Sequence, residues 1–208
     1  YMAGHSLGEF AALVAAGVLS ERTALELVAL RGRLMQDAGE QAGDGGMLAL
    51  LGTGAADHAG EIATPHGLAV ANDNSPQQVV LSGSREAFKA ASDVARELGL
   101  RPMELPVTGA FHSPMMASAV PEFEAALARA ELTPDAALAV TVISAVTAEP
   151  FDDVRRRLAE ALTSPVRWRE TVLAMHERGT RRFVEVGPGK VLTGLVKRTV
   201  RDVEFVNA

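Results

Sequence analysis

The sequence contains no cysteine, which excludes disulfides, a thiolate nucleophile and cysteine-ligated metal centres together. It has no excess of positive charge: 20 Lys and Arg against 26 Asp and Glu leave a formal net charge of −6, which argues against general nucleic-acid binding. No apolar run approaches the ~20 residues that cross a bilayer. There is neither an internal repeat nor a low-complexity tract. A Walker phosphate loop is missing too. Gly187-Pro188-Gly189-Lys190 has the glycines and the lysine, but Val191 follows where Ser or Thr is needed. What these absences leave is a cytoplasmic protein without membrane or nucleic-acid partner, and no metal or cofactor is expected.

What is present is enough apolar material for a real core. The 208 residues are 48% hydrophobic and 22% charged, a length that suits one large domain or a domain carrying a smaller insert. The chain is organised around its opening, Gly4-His5-Ser6-Leu7-Gly8-Glu9, followed at once by the apolar run Phe10 to Val18. Gly-x-Ser-x-Gly ahead of a helix suits a nucleophile elbow, a sharp strand-to-helix turn that exposes the serine. Small residues at 4 and 8 would let the backbone turn without Cβ clashes. The Leu7 amide at the helix start would face the same cleft, where it can stabilise an oxyanion. An elbow needs a strand before it, and the sequence opens on Tyr1 only five residues ahead of Ser6. Upstream sequence is therefore expected to be lacking.

Ser20 is a plausible N-cap for a helix over 21–38. After the Gly-rich stretch 41–46, an alternation reads βαββαβ: strands Met47–Leu51, Leu68–Asn72, Gln78–Ser82 and Pro102–Leu105, helices Ala55–Ala63 and Arg85–Leu98. Asn72 to Pro76 reads as the turn between the middle strands. This order is that of a ferredoxin-like unit. Helices are predicted at Met116–Ala130, Phe151–Leu162, Trp168–Arg178 and Lys190–Val200, and strands at Ala139–Ala145, Arg182–Val186 and Val203–Val206. The expected fold is α/β: an α/β-hydrolase-like parallel sheet core, 1–43 and 107–208, interrupted by a ferredoxin-like subdomain, 44–106.

A serine nucleophile needs a base. His5 adjoins Ser6, and its side chain should point elsewhere; His58 and His176 fall on predicted helices, and His66 in a polar turn. His112, in a small-residue loop at the subdomain junction, is preferred. No Asp or Glu lies near it in sequence, so a carboxylate and a backbone carbonyl both stay open as the group orienting its ring. Arg31, read by itself, is a solvated surface residue.

Gly-His-Ser-Leu-Gly-Glu-Phe and Arg31-Gly-Arg-Leu-Met-Gln, with 72–83 (NDNSPQQVVLSG), 109–113 (GAFHS), 164–168 (SPVRW) and 185–195 (EVGPGKVLTGL), resemble the malonyl-CoA:acyl carrier protein transacylase family in the same order and over essentially the whole sequence. The resemblance implies Ser6 as the acylated nucleophile, His112 as general base and the Leu7 amide as half of the oxyanion hole. The other half lies in an upstream Gly-Gln-Gly motif that this sequence does not contain. Arg31, Phe111, Met35 and Asn74 would bind substrate, with Arg31 on the malonyl carboxylate and Phe111 crowding an α-methyl branch. The carbonyl of Ala161 would orient His112. Malonyl-CoA and acyl carrier protein are the implied partners of a monomeric enzyme, with coenzyme A entering only as the substrate thioester. Arg155–Arg157 and Lys197, Arg198 and Arg201 are candidate docking clusters for the acidic carrier protein. The competing readings are an α/β-hydrolase esterase or lipase, whose usual order places the histidine near the end, and an inactive fragment of the transacylase.

Overall fold

The computed structural model describes residues 1–133 and 140–208. β1 (Met2–Ala3) leads through a four-residue turn into α1 (Gly8–Ala15). α2 (Glu21–Ala42) begins where Ser20, in an extended conformation, accepts the Thr23 N–H at 3.1 Å, which satisfies one of the donors a helix start leaves free. It ends at Gly43, whose φ of 80° suits glycine. α2 thus runs four residues beyond the predicted Ala38.

The alternation that follows is β2 (Gly45–Leu51), α3 (Ala55–Ala63), β3 (Ala69–Ser75), β4 (Gln78–Ser84), α4 (Phe88–Glu97) and β5 (Arg101–Glu104). The strands form one antiparallel sheet in the order β3-β4-β2-β5. β2 lies inside it and is apolar on both faces. Leu48 and Leu50 pack with Ile62 of α3 and with Phe88 and Ala91 of α4. Met47 and Ala49, on the opposite face by the two-residue period of a strand, pack with Ala71, Val80, Leu105, Val107 and Phe111. That second face carries the loop leading to His112.

Residues 72–76 do not form the expected turn. β3 continues to Ser75, leaving only Pro76 and Gln77 between the strands. The reason is tertiary pairing. The Asp73 N–H donates to the Val166 carbonyl at 2.9 Å and the Val166 N–H to the Ala71 carbonyl at 2.8 Å. The Asp73 carboxylate also grips Arg169, at 2.7 Å from Nη2. Turn propensity yields to these contacts.

A 3₁₀ turn over Pro114–Ala119 precedes α5 (Val120–Arg129), so the predicted helix start at Met116 is only partly helical. Likewise Arg85–Ala87 is a 3₁₀ turn ahead of α4. β6 (Val142–Ile143) is shorter than the predicted strand, whose first residue, Ala139, lies outside the described residues. Then come α6 (Val154–Glu160), α7 (Trp168–Glu177), β7 (Arg182–Glu185), α8 (Val191–Thr199) and β8 (Glu204–Asn207). β1 pairs β6 and β7 pairs β8, both parallel. Among the described residues these are two separate pairs, where one continuous parallel sheet was expected.

The main core joins α1, α2, α5 and α6 through Phe10, Leu13, Leu27, Leu34, Phe123, Leu127 and Leu158. Side chains of this size each stabilise the fold by ~1.5–3 kcal/mol when fully buried. A second cluster, with Trp168, Val172, Leu195 and Val196, binds α7 to α8. The elbow and the His112 loop lie between the main core and the antiparallel sheet. No described helix is long and apolar enough to cross a membrane.

Candidate active site

The turn between β1 and α1 is built around Ser6, which adopts a φ of 51°. A left-handed serine costs backbone energy that the surroundings must offset. Gly4 makes the turn possible, because a Cβ there would lie 1.9 Å from the Gly8 carbonyl carbon. Gly8 is a correction. A Cβ on it would meet nothing within 4 Å, so the turn needs one glycine and not two. Leu7, half exposed, starts the helix, and its amide makes no hydrogen bond among the described residues.

His112 sits at a second left-handed position, φ 57°, and is 5% exposed. Its Nε2 lies 2.8 Å from Ser6 Oγ and its Nδ1 2.8 Å from the Ala161 carbonyl. A carbonyl only accepts, so Nδ1 carries the proton and donates to Ala161. Nε2 then carries the lone pair and accepts a hydrogen bond from the Ser6 hydroxyl. Burial first, and the Arg31 charge second, push the His112 pKa down to about 4. The imidazole is therefore neutral, the form a base requires. Ala161 closes the α6 segment, so the orienting group is a main-chain carbonyl.

Arg31 is 6% exposed, which overturns its reading as a surface residue. Its Nη2 donates to Ser6 Oγ at 3.1 Å, the only side-chain hydrogen bond it makes among the described residues. A guanidinium has five N–H donors in a planar fork, so most remain available to an oxyanion beside Ser6. Met35, one turn further along the same face of α2, is buried in the main core. Phe111 is half-buried between that core and the sheet face, its ring so close over Gly109 that a Cβ there would come within 2.6 Å of Cε1. Asn74, buried on β3, holds His5: its Oδ1 is 2.7 Å from His5 Nε2, and the His5 ring meets Trp168 edge-on at 5.6 Å. His5 thus points away from Ser6, as its position in the chain predicts.

In the sequence Glu9 stands out only as part of the elbow motif. It is 1% exposed, and its Oε1 accepts the Ala145 N–H at 2.8 Å. Burial raises its pKa to about 7, against hydrogen bonds from Ala145 and Ser144 and the charge of Arg31. Its one sequence signal was a carboxylate on the first turn of an otherwise apolar helix.

No described group of three His, Asp or Glu could hold a metal ion. The α8 N-terminus is no phosphate site either, because Glu185 accepts the Leu192 and Thr193 amides at 3.0 and 2.7 Å. The Arg155–Arg157 cluster is spent internally: Arg155 donates to the Leu127 and Ala130 carbonyls, Arg156 pairs with Asp152, and Arg157 with Asp152 and Glu160. Lys197, Arg198 and Arg201 are exposed.

The acyl transferase domain model matches residues 1–208. The malonyl CoA-acyl carrier protein transacylase of Synechocystis sp. is 41% identical over 211 residues, 100% of this chain and 69% of that protein. Among solved structures, the malonyl CoA-acyl carrier protein transacylase of Clostridium perfringens superposes with a TM-score of 0.92 at 33% identity, over 99% of this chain and 66% of that one. A type II PKS acyl-carrier protein in complex with its malonyl-transacylase gives 0.88 at 35% identity, over 100% and 68%. The chain spans about two thirds of the length of these relatives. Its mixed α/β fold is that of the solved transacylases, and the chain belongs to the acyl transferase domain family.

Proposed function

We propose that this chain carries the nucleophile, base and carboxylate-binding residue of a malonyl-CoA:acyl carrier protein transacylase. One observation carries the reading: Ser6 Oγ stands between a neutral imidazole nitrogen at 2.8 Å and a buried guanidinium at 3.1 Å. The imidazole makes an alkoxide-like nucleophile, and the guanidinium selects an acyl group that bears its own anion. An esterase needs the first and has no use for the second.

In the proposed reaction Ser6 Oγ attacks the thioester carbon while His112 Nε2 takes its proton. The oxygen of the tetrahedral intermediate lies against the Leu7 amide. The C–S bond then breaks, and the imidazolium returns its proton to the departing coenzyme A thiolate. The malonyl-serine ester is resolved by the same steps in reverse, with the pantetheine thiol of acyl carrier protein as nucleophile. Arg31 holds the malonyl carboxylate through both halves, and a thioester lacking that carboxylate leaves the guanidinium unpaired. Phe111, Met35 and Asn74 complete the substrate-binding set.

We read residues 44–106 as a ferredoxin-like subdomain, supported by the strand order β3-β4-β2-β5. Residues 1–43 and 107–208 form the α/β-hydrolase-like core. Its parallel pairs β1-β6 and β7-β8 would belong to one sheet, completed by strands in the part of the relatives' length that this chain does not span. The exposed Lys197, Arg198 and Arg201 are the remaining candidates for docking an acidic carrier protein. Steady-state transfer in the full-length protein tests both claims. Arg31→Ala should lower malonyl transfer by one to two orders of magnitude, the worth of ~1.5–3 kcal/mol in charged hydrogen bonds, and spare acetyl transfer. Charge reversal at 197, 198 and 201 should raise the KM for carrier protein without slowing Ser6 acylation. Equal losses for malonyl and acetyl would remove Arg31 from substrate binding, and an unchanged KM would remove Lys197, Arg198 and Arg201 from docking.

A further inference from the structure

Arg31 is a buried cation, and no carboxylate lies within ion-pairing distance of it among the described residues. A charge so placed is costly unless another compensates it. The negative charge that acts on it is Glu9, on α1, whose carboxylate is itself buried and fixed to the Ala145 N–H. Both residues meet Ser6: Arg31 Nη2 donates to its Oγ at 3.1 Å, and the Glu9 N–H donates to its carbonyl at 3.2 Å. Around Glu9 stand Ser144 and the Ala145 amide from the segment after β6, and Arg31 from α2. His112 and His5 stand further round the site, where His112 senses both Arg31 and His5.

On the transacylase reading, a malonyl carboxylate that reaches Arg31 places a second anion in this enclosed space. One guanidinium cannot neutralise two carboxylates out of water. We propose that Glu9 is the counter-charge of Arg31 before substrate arrives, and that it takes up one proton from solvent when the malonyl carboxylate binds. The step balances simply: carboxylate and proton give the carboxylic acid, and the substrate carboxylate replaces Glu9 as the negative charge that compensates Arg31. The neutral acid still accepts the Ala145 N–H through its carbonyl oxygen, so the elbow helix keeps its anchor in both states. Glu9 touches neither substrate nor reacting atoms. It is a positioning residue that makes malonyl affinity depend on pH. Its pKa of about 7 puts the exchange in reach of a small change in the local field.

The test uses the full-length protein carrying Ser6→Ala, which binds malonyl-CoA without turnover, and glutamate labelled with carbon-13 at the carboxyl position. Glu9→Gln assigns the Glu9 signal and, with its amide oxygen, preserves the Ala145 hydrogen bond. At pH 7.5 the Glu9 carbon should move to the protonated position on adding malonyl-CoA and stay in place with acetyl-CoA. Calorimetry in buffers of different ionisation enthalpy should give an uptake of about half a proton or more per malonyl-CoA bound, falling to nearly none in Glu9→Gln. A Glu9 signal that does not respond, or an uptake that persists in Glu9→Gln, overturns the proposal. If malonyl-CoA does not bind at all, the transacylase reading fails instead. The pairing is then judged without ligand: Arg31→Gln should move the Glu9 titration to higher pH, and an unmoved titration rejects it.

Discussion

Two buried groups of the site, His112 and Glu9, are shifted toward their uncharged forms, and the shifts act oppositely on stability. The His112 pKa falls to about 4 from 6.5. The folded state therefore binds fewer protons there than the unfolded chain, and this stabilisation, present above pH 6.5, is lost as the pH drops toward 4. Glu9 rises to about 7 from 4.5. Its contribution is full below 4.5 and is lost as the pH climbs through 7. Between 4.5 and 6.5 the two slopes oppose each other. Arg31 is the second cause of the His112 shift, which makes a sharp prediction. Arg31→Gln should move the NMR titration of the His112 ring upward, toward 6.5, and carry the acid limb of acetyl transfer with it. A His112 titration unchanged by that substitution would mean that the Arg31 charge has no part in setting its pKa.

The elbow shows how much of an element is legible in local sequence. Gly-x-Ser-x-Gly ahead of an apolar run predicts the sharp turn, and the turn is there with Ser6 at φ 51°. The motif does not tell its two glycines apart. Gly4→Ala should prevent native folding, since the new methyl would overlap the Gly8 backbone. Gly8→Ala should fold at least as well, because alanine is the better helix former by ~1 kcal/mol. Circular dichroism melts of the two variants check this, and a native Gly4→Ala would contradict the account of the turn. The βαββαβ alternation was equally readable, because periodicity and turn residues are local signals. What failed was non-local. Asn72 to Ser75 have the composition of a turn, and pairing with Val166 and Arg169, over ninety residues away, draws them into β3. Arg31 looks like a surface residue until α1 and the His112 loop close over it. The three arginines at 155–157 look like a basic patch until Asp152 and Glu160 are seen to neutralise two of them.

The largest distances in sequence carry the chemistry. Ser6 and His112 are 106 residues apart, and His112 and Ala161 another 49. Composition and periodicity are silent at that range, and only several motifs standing in one order let the sequence propose the pairing. The resemblance supplied Ala161 as the orienting carbonyl, and its oxygen lies 2.8 Å from Nδ1. The burial of Glu9 had no such signal, since a carboxylate on a first helical turn is ordinarily read as a favourable dipole partner in water. The parallel pairs β1-β6 and β7-β8 hold the two ends of the chain in separate places, with the site between the main core and the antiparallel sheet. In the proposed reaction, Ser6 carries the acyl group between thioesters. The direct measurement is intact-mass and peptide-mass analysis of the full-length protein after brief incubation with malonyl-CoA. A single malonyl adduct is expected on the peptide containing Ser6, absent in Ser6→Ala and discharged by acyl carrier protein bearing its pantetheine thiol. An adduct that persists in Ser6→Ala, or transfer to the carrier protein without a serine ester, would contradict it.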